Sequence, residues 1–555
     1  MPTPAPTPVP TPAPTPAPTP TPVNSVLYPD RDRSFTTRSA NSDLTFDLTA
    51  GTATGGTTRH SSLAISYNAD SQSYTVAKGE VSSSFGQADI VADNADELVF
   101  YRQMGDIREY LTLVRRPYSG LPERKHVALG YWQRNIVSSD RQSMDLATFV
   151  YGLPTSTGSM PRSGSAGYNI DAFGVVSQPG KEPRTLFGLG TFNADFLTGD
   201  FTTKADVFEQ SLASEEHSSG VNFHMSGAGQ ISATNSTFAG TLRYDGLYGT
   251  AVGALEGRFY GPGAVELGAA FSASNADGMT VSGALTGQRD DAVPIRNLAL
   301  TNLQPGVAVD ILGTVYPEGS ISLNTDGSIS FRATEWDYLG GTFTDRDRVA
   351  ARNVNFDAWR ISNGGRGLAR EDLTVELYRP GADNTELALT YASFGEWQLT
   401  YYDAARDEHF PQQFIYGIET PAGLIAARTG TARYDGVVLG TASNAGQAYQ
   451  ANGTSRFDIN FSDQSFAGQL AIAATHGSDR IDFGSFDLSG RLNALGADSE
   501  ASINMAGVDH GLGTLMFRFY GPSAQEIGGR FTIGLPEGTA NAGWGITGVT
   551  VAKER

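Results

Sequence analysis

The chain has 555 residues, with 59 acidic and 39 basic side chains giving a net charge of -20. Domains run to roughly 100–200 residues, so about three to five units are expected, and so acidic a chain repels a phosphate backbone, which excludes general nucleic-acid binding. It contains no cysteine, which excludes a disulfide framework, a thiolate zinc site and a cysteine nucleophile without identifying the compartment. No run of about 20 apolar residues provides a membrane-spanning helix.

Pro2 to Pro22 is almost purely Pro, Thr and Ala. Such a segment cannot pack a core, and about 20 residues of polyproline II reach roughly 60 Å. It reads either as a featureless tail or as a spacer that lifts a body away from an anchor. Met1 runs directly into Pro2 without a signal peptide, and on the spacer reading it stands where a lipidated cysteine is expected. From Ser25 onward the pattern is strand, turn, strand, as in Ser62–Tyr67 and Glu97–Arg102. The segment Ser320–Phe331 holds two alternating runs around Asn324-Thr-Asp-Gly327, a hairpin signal. Helical periodicity is scarce, and Asp345–Asp357 is the best candidate for a short helix or irregular turn.

The densest basic stretch of this acidic chain lies between Arg102 and Gln133. Its candidate partner-binding residues are Arg115, Arg116, Tyr118, Arg124 and Lys125, because Arg and Tyr often anchor interfaces. Read plainly, it is a solvated hairpin whose charges balance nearby acids.

The chain also resembles itself. Leu129-Gly-Tyr-Trp132 recurs as Phe394-Gly-Glu-Trp397, and Phe149-Val-Tyr-Gly152 as Phe414-Ile-Tyr-Gly417. Ser163-Gly-Ser-Ala-Gly-Tyr168 recurs as Thr429-Gly-Thr-Ala-Arg-Tyr434. Arg258-Phe-Tyr-Gly-Pro262 and its continuation to Gly268 recur from Arg518 to Gly528. Trp132 and Tyr151 are 19 residues apart, as are Trp397 and Tyr416. Four motifs in one order at near-equal spacing mark a tandem duplication. The expected division is a spacer at 1–25, sheet regions at 26–161 and 291–420, and glycine-dense regions at 162–290 and 421–555. Short alternating strands rich in glycine suggest a small closed barrel in each glycine-dense region.

Within the repeated motifs, Gly261-Pro262 and Gly521-Pro522 predict tight turns, with Phe259 and Phe519 in the core. Glu266 and Glu526 are expected to accept N–H bonds of their turn or to pair with Arg258 and Arg518. Trp132, Trp397, Tyr151 and Tyr416 read as packing between the two regions of each half. The seven histidines, His60, His126, His217, His224, His409, His476 and His510, form no compact metal signature. His217 with His224, and Asp407-Glu-His409, are the weak metal candidates. No nucleophile elbow or phosphate loop occurs, so no catalytic residue, cofactor or metal is assigned.

The doubled Arg-Phe-Tyr-Gly-Pro-x-Ala-x-Glu-x-Gly signature, with the Gly-x-Trp and Tyr-Gly motifs before it, resembles the transferrin-binding-protein-B-like surface lipoproteins of Gram-negative bacteria. The resemblance runs from about residue 26 to 551. It implies an all-β chain of two tandem lobes, each a handle sheet domain followed by an eight-stranded antiparallel barrel. It also implies a lipid-anchored protein on the extracellular face of the outer membrane, partnering a TonB-dependent outer-membrane transporter. The expected function is capture and delivery of a carrier protein, haem or a metal chelate, without covalent chemistry. It further implies that the first lobe engages the ligand. The loops that choose the ligand match nothing, so its identity does not transfer. A secreted β-rich hydrolase and a structural or adhesive surface protein are the competing classes; the first would need a converging polar cleft and the second many tandem repeats.

Overall fold

The computed structural model describes residues 26–27, 29–212, 216–314, 319–333, 340–364, 370–402, 407–421, 423–493, 498–506 and 511–555. The Pro/Thr leader, Met1 and His510 lie outside the described residues, as do the side chains of Asp407, Glu408 and His409.

The first lobe opens with a nine-stranded antiparallel handle. Its strands are β1 (Arg33–Asp47), β2 (Thr52–Asn68), β3 (Ser73–Lys78), β4 (Val81–Phe85), β5 (Ile90–Asp93), β6 (Glu97–Met104), β7 (Ile107–Val114), β8 (Val127–Val137) and β9 (Arg141–Gly152), in the order β4-β3-β2-β1-β9-β8-β7-β6-β5. A closed eight-stranded barrel follows: β10 (Ser165–Ser177), β11 (Arg184–Asp195), β12 (Asp200–Ser211), β13 (His217–Ile231), β14 (Thr237–Gly246), β15 (Gly249–Tyr260), β16 (Glu266–Ser274) and β17 (Thr280–Arg289).

The second lobe repeats the plan. Its eight-stranded handle has β18 (Ala308–Gly313), β19 (Gly319–Leu323), β20 (Ile329–Ala333), β21 (Gly340–Phe343), β22 (Phe356–Gly364), β23 (Arg370–Tyr378), β24 (Ala392–Tyr402) and β25 (Asp407–Gly417), in the order β21-β20-β19-β18-β25-β24-β23-β22. Its closed barrel has β26 (Thr431–Asn444), β27 (Gln447–Asn460), β28 (Ser465–His476), β29 (Asp479–Arg491), β30 (Ser499–Asn504), β31 (Gly513–Tyr520), β32 (Glu526–Gly534) and β33 (Gly545–Glu554). The chain is therefore all-β, with two tandem handle-and-barrel lobes.

Alternation decides what each strand buries. On β10, Tyr168, Ile170, Ala172 and Val176 point into the barrel core, while Phe173 packs outward against the handle. Closure leaves neither barrel an edge strand to protect. The Asn324–Gly327 turn joins β19 to β20 as its sequence predicts, with Gly327 at φ 82°. The segment after Thr344 forms only a three-residue 3-10 turn, Asp345–Asp347, and among the described residues no α-helix occurs. One expectation is corrected: Trp132 and Tyr151, like Trp397 and Tyr416, pack inside the handles rather than between handle and barrel. The reason is parity. Leu129 faces the barrel, and Trp132, three residues along the same strand, faces the opposite side of the sheet.

Candidate functional site

The repeated Phe-Tyr-Gly-Pro segment joins handle to barrel in each lobe. Gly261 and Gly521 have φ of 71° and 85°, and a Cβ at Gly261 would stand 2.5 Å from the His126 ring. The segment leaving each handle clamps the turn: Thr155 Oγ1 donates to Gly261 O (2.6 Å) and Thr420 Oγ1 to Gly521 O (2.7 Å). Tyr168 and Tyr434 donate their hydroxyls to Ala264 O and Ala524 O, each at 2.6 Å.

Glu266 and Glu526 do accept backbone N–H bonds, but from the handle and not from their own turn. Glu266 takes the N–H groups of Lys125, His126 and Val127 at 2.7–3.1 Å. Glu526 takes those of Thr390, Tyr391 and Ala392 at 2.7–2.8 Å. Burial pushes the Glu526 carboxyl up, and the three N–H bonds pull it back. Arg518 instead pairs with Glu419 (2.5 Å) and with Asp498. A motif with the same partners in both lobes is a fastening, so specificity is carried where the lobes differ.

The basic loop after β7 lies over the first barrel, and the five candidate residues divide in it. Arg115 pairs with Asp93 and the carbonyl of Asn94. Arg124 is buried, with its guanidinium against Gln288 (3.2 Å) and the Asn169 carbonyl (3.5 Å). Burial lowers its pKa, and Asp171 and Glu266 nearby oppose that shift. Arg116 and Lys125 are exposed. Ser119 N donates to Asp171 Oδ2 (2.8 Å), which pins the loop to β10.

Tyr118 enters a cleft of about 450 Å³ between handle and barrel. Its hydroxyl lies 3.2 Å from Glu97 Oε2 and 3.4 Å from the Tyr131 hydroxyl. Burial first, then Tyr131 and Glu97, push the Tyr118 phenol far above its ordinary value, so it stays neutral. Phe173 and Phe187 on the barrel wall of this cleft begin an aromatic row that the sequence reading missed. Phe173, Phe187 and Phe208 are register partners on β10, β11 and β12. Phe187 stacks on Phe208 with centroids 4.9 Å apart, and Tyr131 stacks on Phe173 at 4.8 Å. The row ends in water: Phe208, beyond the cleft lining, is 42% exposed, and Leu212 on the cleft wall is 51% exposed. Among the described residues, Glu97 is the one charged residue lining the cleft.

The second lobe has no such row. Tyr168 and Tyr434 are equivalent, and five residues further on Phe173 meets Leu439. Register then gives Asn452 for Phe187 and Ala473 for Phe208. Glu396 stands in place of Tyr131, paired with Arg352 (3.0 Å). Aligning the halves at these outward positions is the signal that finds the row: aromatic in one half, never aromatic in the other. Among the described residues no group of three or more His, Cys, Asp or Glu is placed to hold a metal.

Residues 427–554 match the family model for the C-lobe and N-lobe β-barrels of Tf-binding protein B. A transferrin-binding protein B of Haemophilus influenzae (strain 86-028NP) is 23% identical over 309 residues, covering 51% of this chain and 47% of that protein. The chain thus matches about half the length of this relative. Among solved structures, transferrin-binding protein B of Haemophilus parasuis Hp5 aligns at 17% identity and TM-score 0.28, covering 80% of this chain and 85% of that one. The isotype 1 protein of serogroup B Neisseria meningitidis aligns at 16% and 0.26, covering 78% and 85%. The second barrel thus matches the barrels of transferrin-binding protein B, and the first barrel repeats its strand plan within a bilobed, all-β chain.

Proposed function

We propose that this chain is a cell-surface binding protein of the outer membrane that captures an iron- or nutrient-carrying protein of the transferrin type. The observation that carries this reading is the aromatic cleft of the first lobe, absent from its duplicate. Half-exposed Phe208 and Leu212 each have unburied surface worth about 1 kcal/mol on contact, and such a patch rimmed by polar groups suits a protein partner. Glu97 favours a basic side chain from that partner. Of the five loop residues, Arg116, Tyr118 and Lys125 are proposed to touch the ligand, while Arg115 and Arg124 hold the loop in shape. The finer parts of the proposal are a lipid anchor ahead of the Pro/Thr spacer and delivery to a TonB-dependent transporter. The divisions at 26–161, 162–290, 291–420 and 421–555 are proposed as folding units.

Calorimetry of the full chain with iron-loaded serum transferrin tests the reading. Phe208→Ser with Leu212→Ser removes about 2 kcal/mol of contact and weakens binding roughly 30-fold. Binding that the double variant leaves unchanged, or no binding to any iron carrier, would sink it.

A further inference from the structure

Four neighbouring strands of the first barrel present one outward row at their end: Ser165 on β10, Asp195 on β11, Asp200 on β12 and Gln230 on β13, each the register partner of the next. The second lobe covers the two carboxylates of this row, while Gln230 at its end stays exposed. Gln304 Nε2 donates to Ser165 Oγ (3.0 Å), Asn302 Nδ2 to Asp195 Oδ2 (2.8 Å) and the Tyr391 hydroxyl to Asp200 Oδ1 (3.1 Å). Both carboxylates are buried, at 1% and 0% exposure.

Their surroundings differ. Asp195 is satisfied, since its Oδ1 accepts the N–H groups of Leu197 and Thr198 and its Oδ2 the Asn302 amide. Asp200 Oδ1 accepts the Gln230 amide and the Tyr391 hydroxyl, but Oδ2 has no hydrogen-bond partner. The Thr198 hydroxyl stands close to the Asp200 carboxylate and favours its ionised form. Facing Asp200 are Asp195 from β11, Thr198 from the turn, Gln230 from β13 and Tyr391 from the second lobe, whose main chain is bonded to the Glu526 carboxylate. None of these is a cation. Two like charges side by side in a dry seam cannot both ionise without cost.

The duplicate gives the contrast. The same row on the second barrel is Thr431, Asn460, Ser465 and Arg491, exposed or half-buried and without a carboxylate. The acid pair therefore belongs to the face on which the other lobe sits.

We propose that the lobe–lobe seam is a proton-operated clasp, in which protonation of Asp200 seats the second lobe on the first barrel and ionisation loosens it. This rests on the seam alone and not on any ligand. Burial, with Asp195 adding to it, raises Asp200 from 3.8 to about 6 against the Thr198, Gln230 and Tyr391 hydrogen bonds, which favour the ionised form. An acid whose pKa is raised on docking holds its proton more tightly when docked, so docking strengthens as pH falls through about 6 and gains nothing above it. The first barrel supplies part of that burial, so between pH 7.5 and pH 5 the docking constant rises by at most about tenfold.

The chain has no native cysteine, so Lys204→Cys and Ser485→Cys, exposed sites on the two barrels, take spin labels cleanly in the full chain. Distances measured between them by pulsed electron resonance in EDTA should be narrowly distributed at pH 5 and broad at pH 7.5. Asp200→Asn, which replaces the carboxylate with a neutral amide, should be narrow at both, and Tyr391→Phe broader at both. A pH-independent width in the native chain, an unchanged pH response in Asp200→Asn, or closure that requires added calcium would each overturn the clasp.

Discussion

Three main-chain N–H groups converge on one carboxylate in each lobe, and this contact ties handle to barrel. Such a group is costly to remove because its buried donors lose a charged acceptor. Glu526→Ala leaves three N–H groups without it, which at about 1 kcal/mol or more each should lower second-lobe stability by at least about 3 kcal/mol. Scanning calorimetry should show that loss in one transition and not in the other; a uniform or absent shift refutes the assignment. Glu526 also has a sign. Its folded pKa lies above the unfolded 4.5, so its ionisation penalises the fold at neutral pH and acidification through its folded pKa relieves that penalty. Gly261→Val should cost about 1–3 kcal/mol, because the position has φ 71° and a Cβ would strike His126. Transferrin binding measured below the melting temperature should be unchanged by it.

At the level of strands, alternation and repeated motifs made both barrels and the duplication legible before any coordinates. The Asn324–Gly327 hairpin was legible too, because Asn and Gly at a turn report backbone conformation directly. Facing was less so. Trp132 is large and apolar, which says that it is buried but not on which side of the sheet. Glu266 was recognised as unusual, yet its donors come from residues some 140 positions away, and no local pattern encodes that distance. Phe173, Phe187 and Phe208 escaped because an outward aromatic and a core aromatic read alike in a strand whose parity is unassigned. Their role is separable from stability. Phe187 and Phe208 gain about 0.5–1.5 kcal/mol from stacking, so Phe208→Ala should lower the first-lobe melting temperature by only a few degrees. Grafting the row onto the second barrel, with Leu439→Phe, Asn452→Phe and Ala473→Phe, should create apolar surface that binds a hydrophobic dye. Dye fluorescence no higher than in the parent chain would show that these positions do not form one outward surface.

For the whole molecule, the two lobes are built alike but are not interchangeable: one barrel offers a cleft to a partner and a buried acidic row to its sister lobe. Closure of the barrels has a further consequence, for the order of events during folding. Most strand pairs join neighbours in sequence, but each barrel is sealed by its first and last strands. Tyr168 lies opposite Arg289, and Tyr434 opposite Glu554. These seams join residues roughly 120 positions apart, and such non-local closure is slow. Until Arg289 is available, β10 and β16 keep open sides to which other strands can add. The nascent chain therefore passes through a long aggregation-prone interval, during which a holding chaperone would have most to protect. Once sealed, opening the cylinder requires losing a whole ladder at once, so resistance to proteases should be governed by a slow unfolding rate.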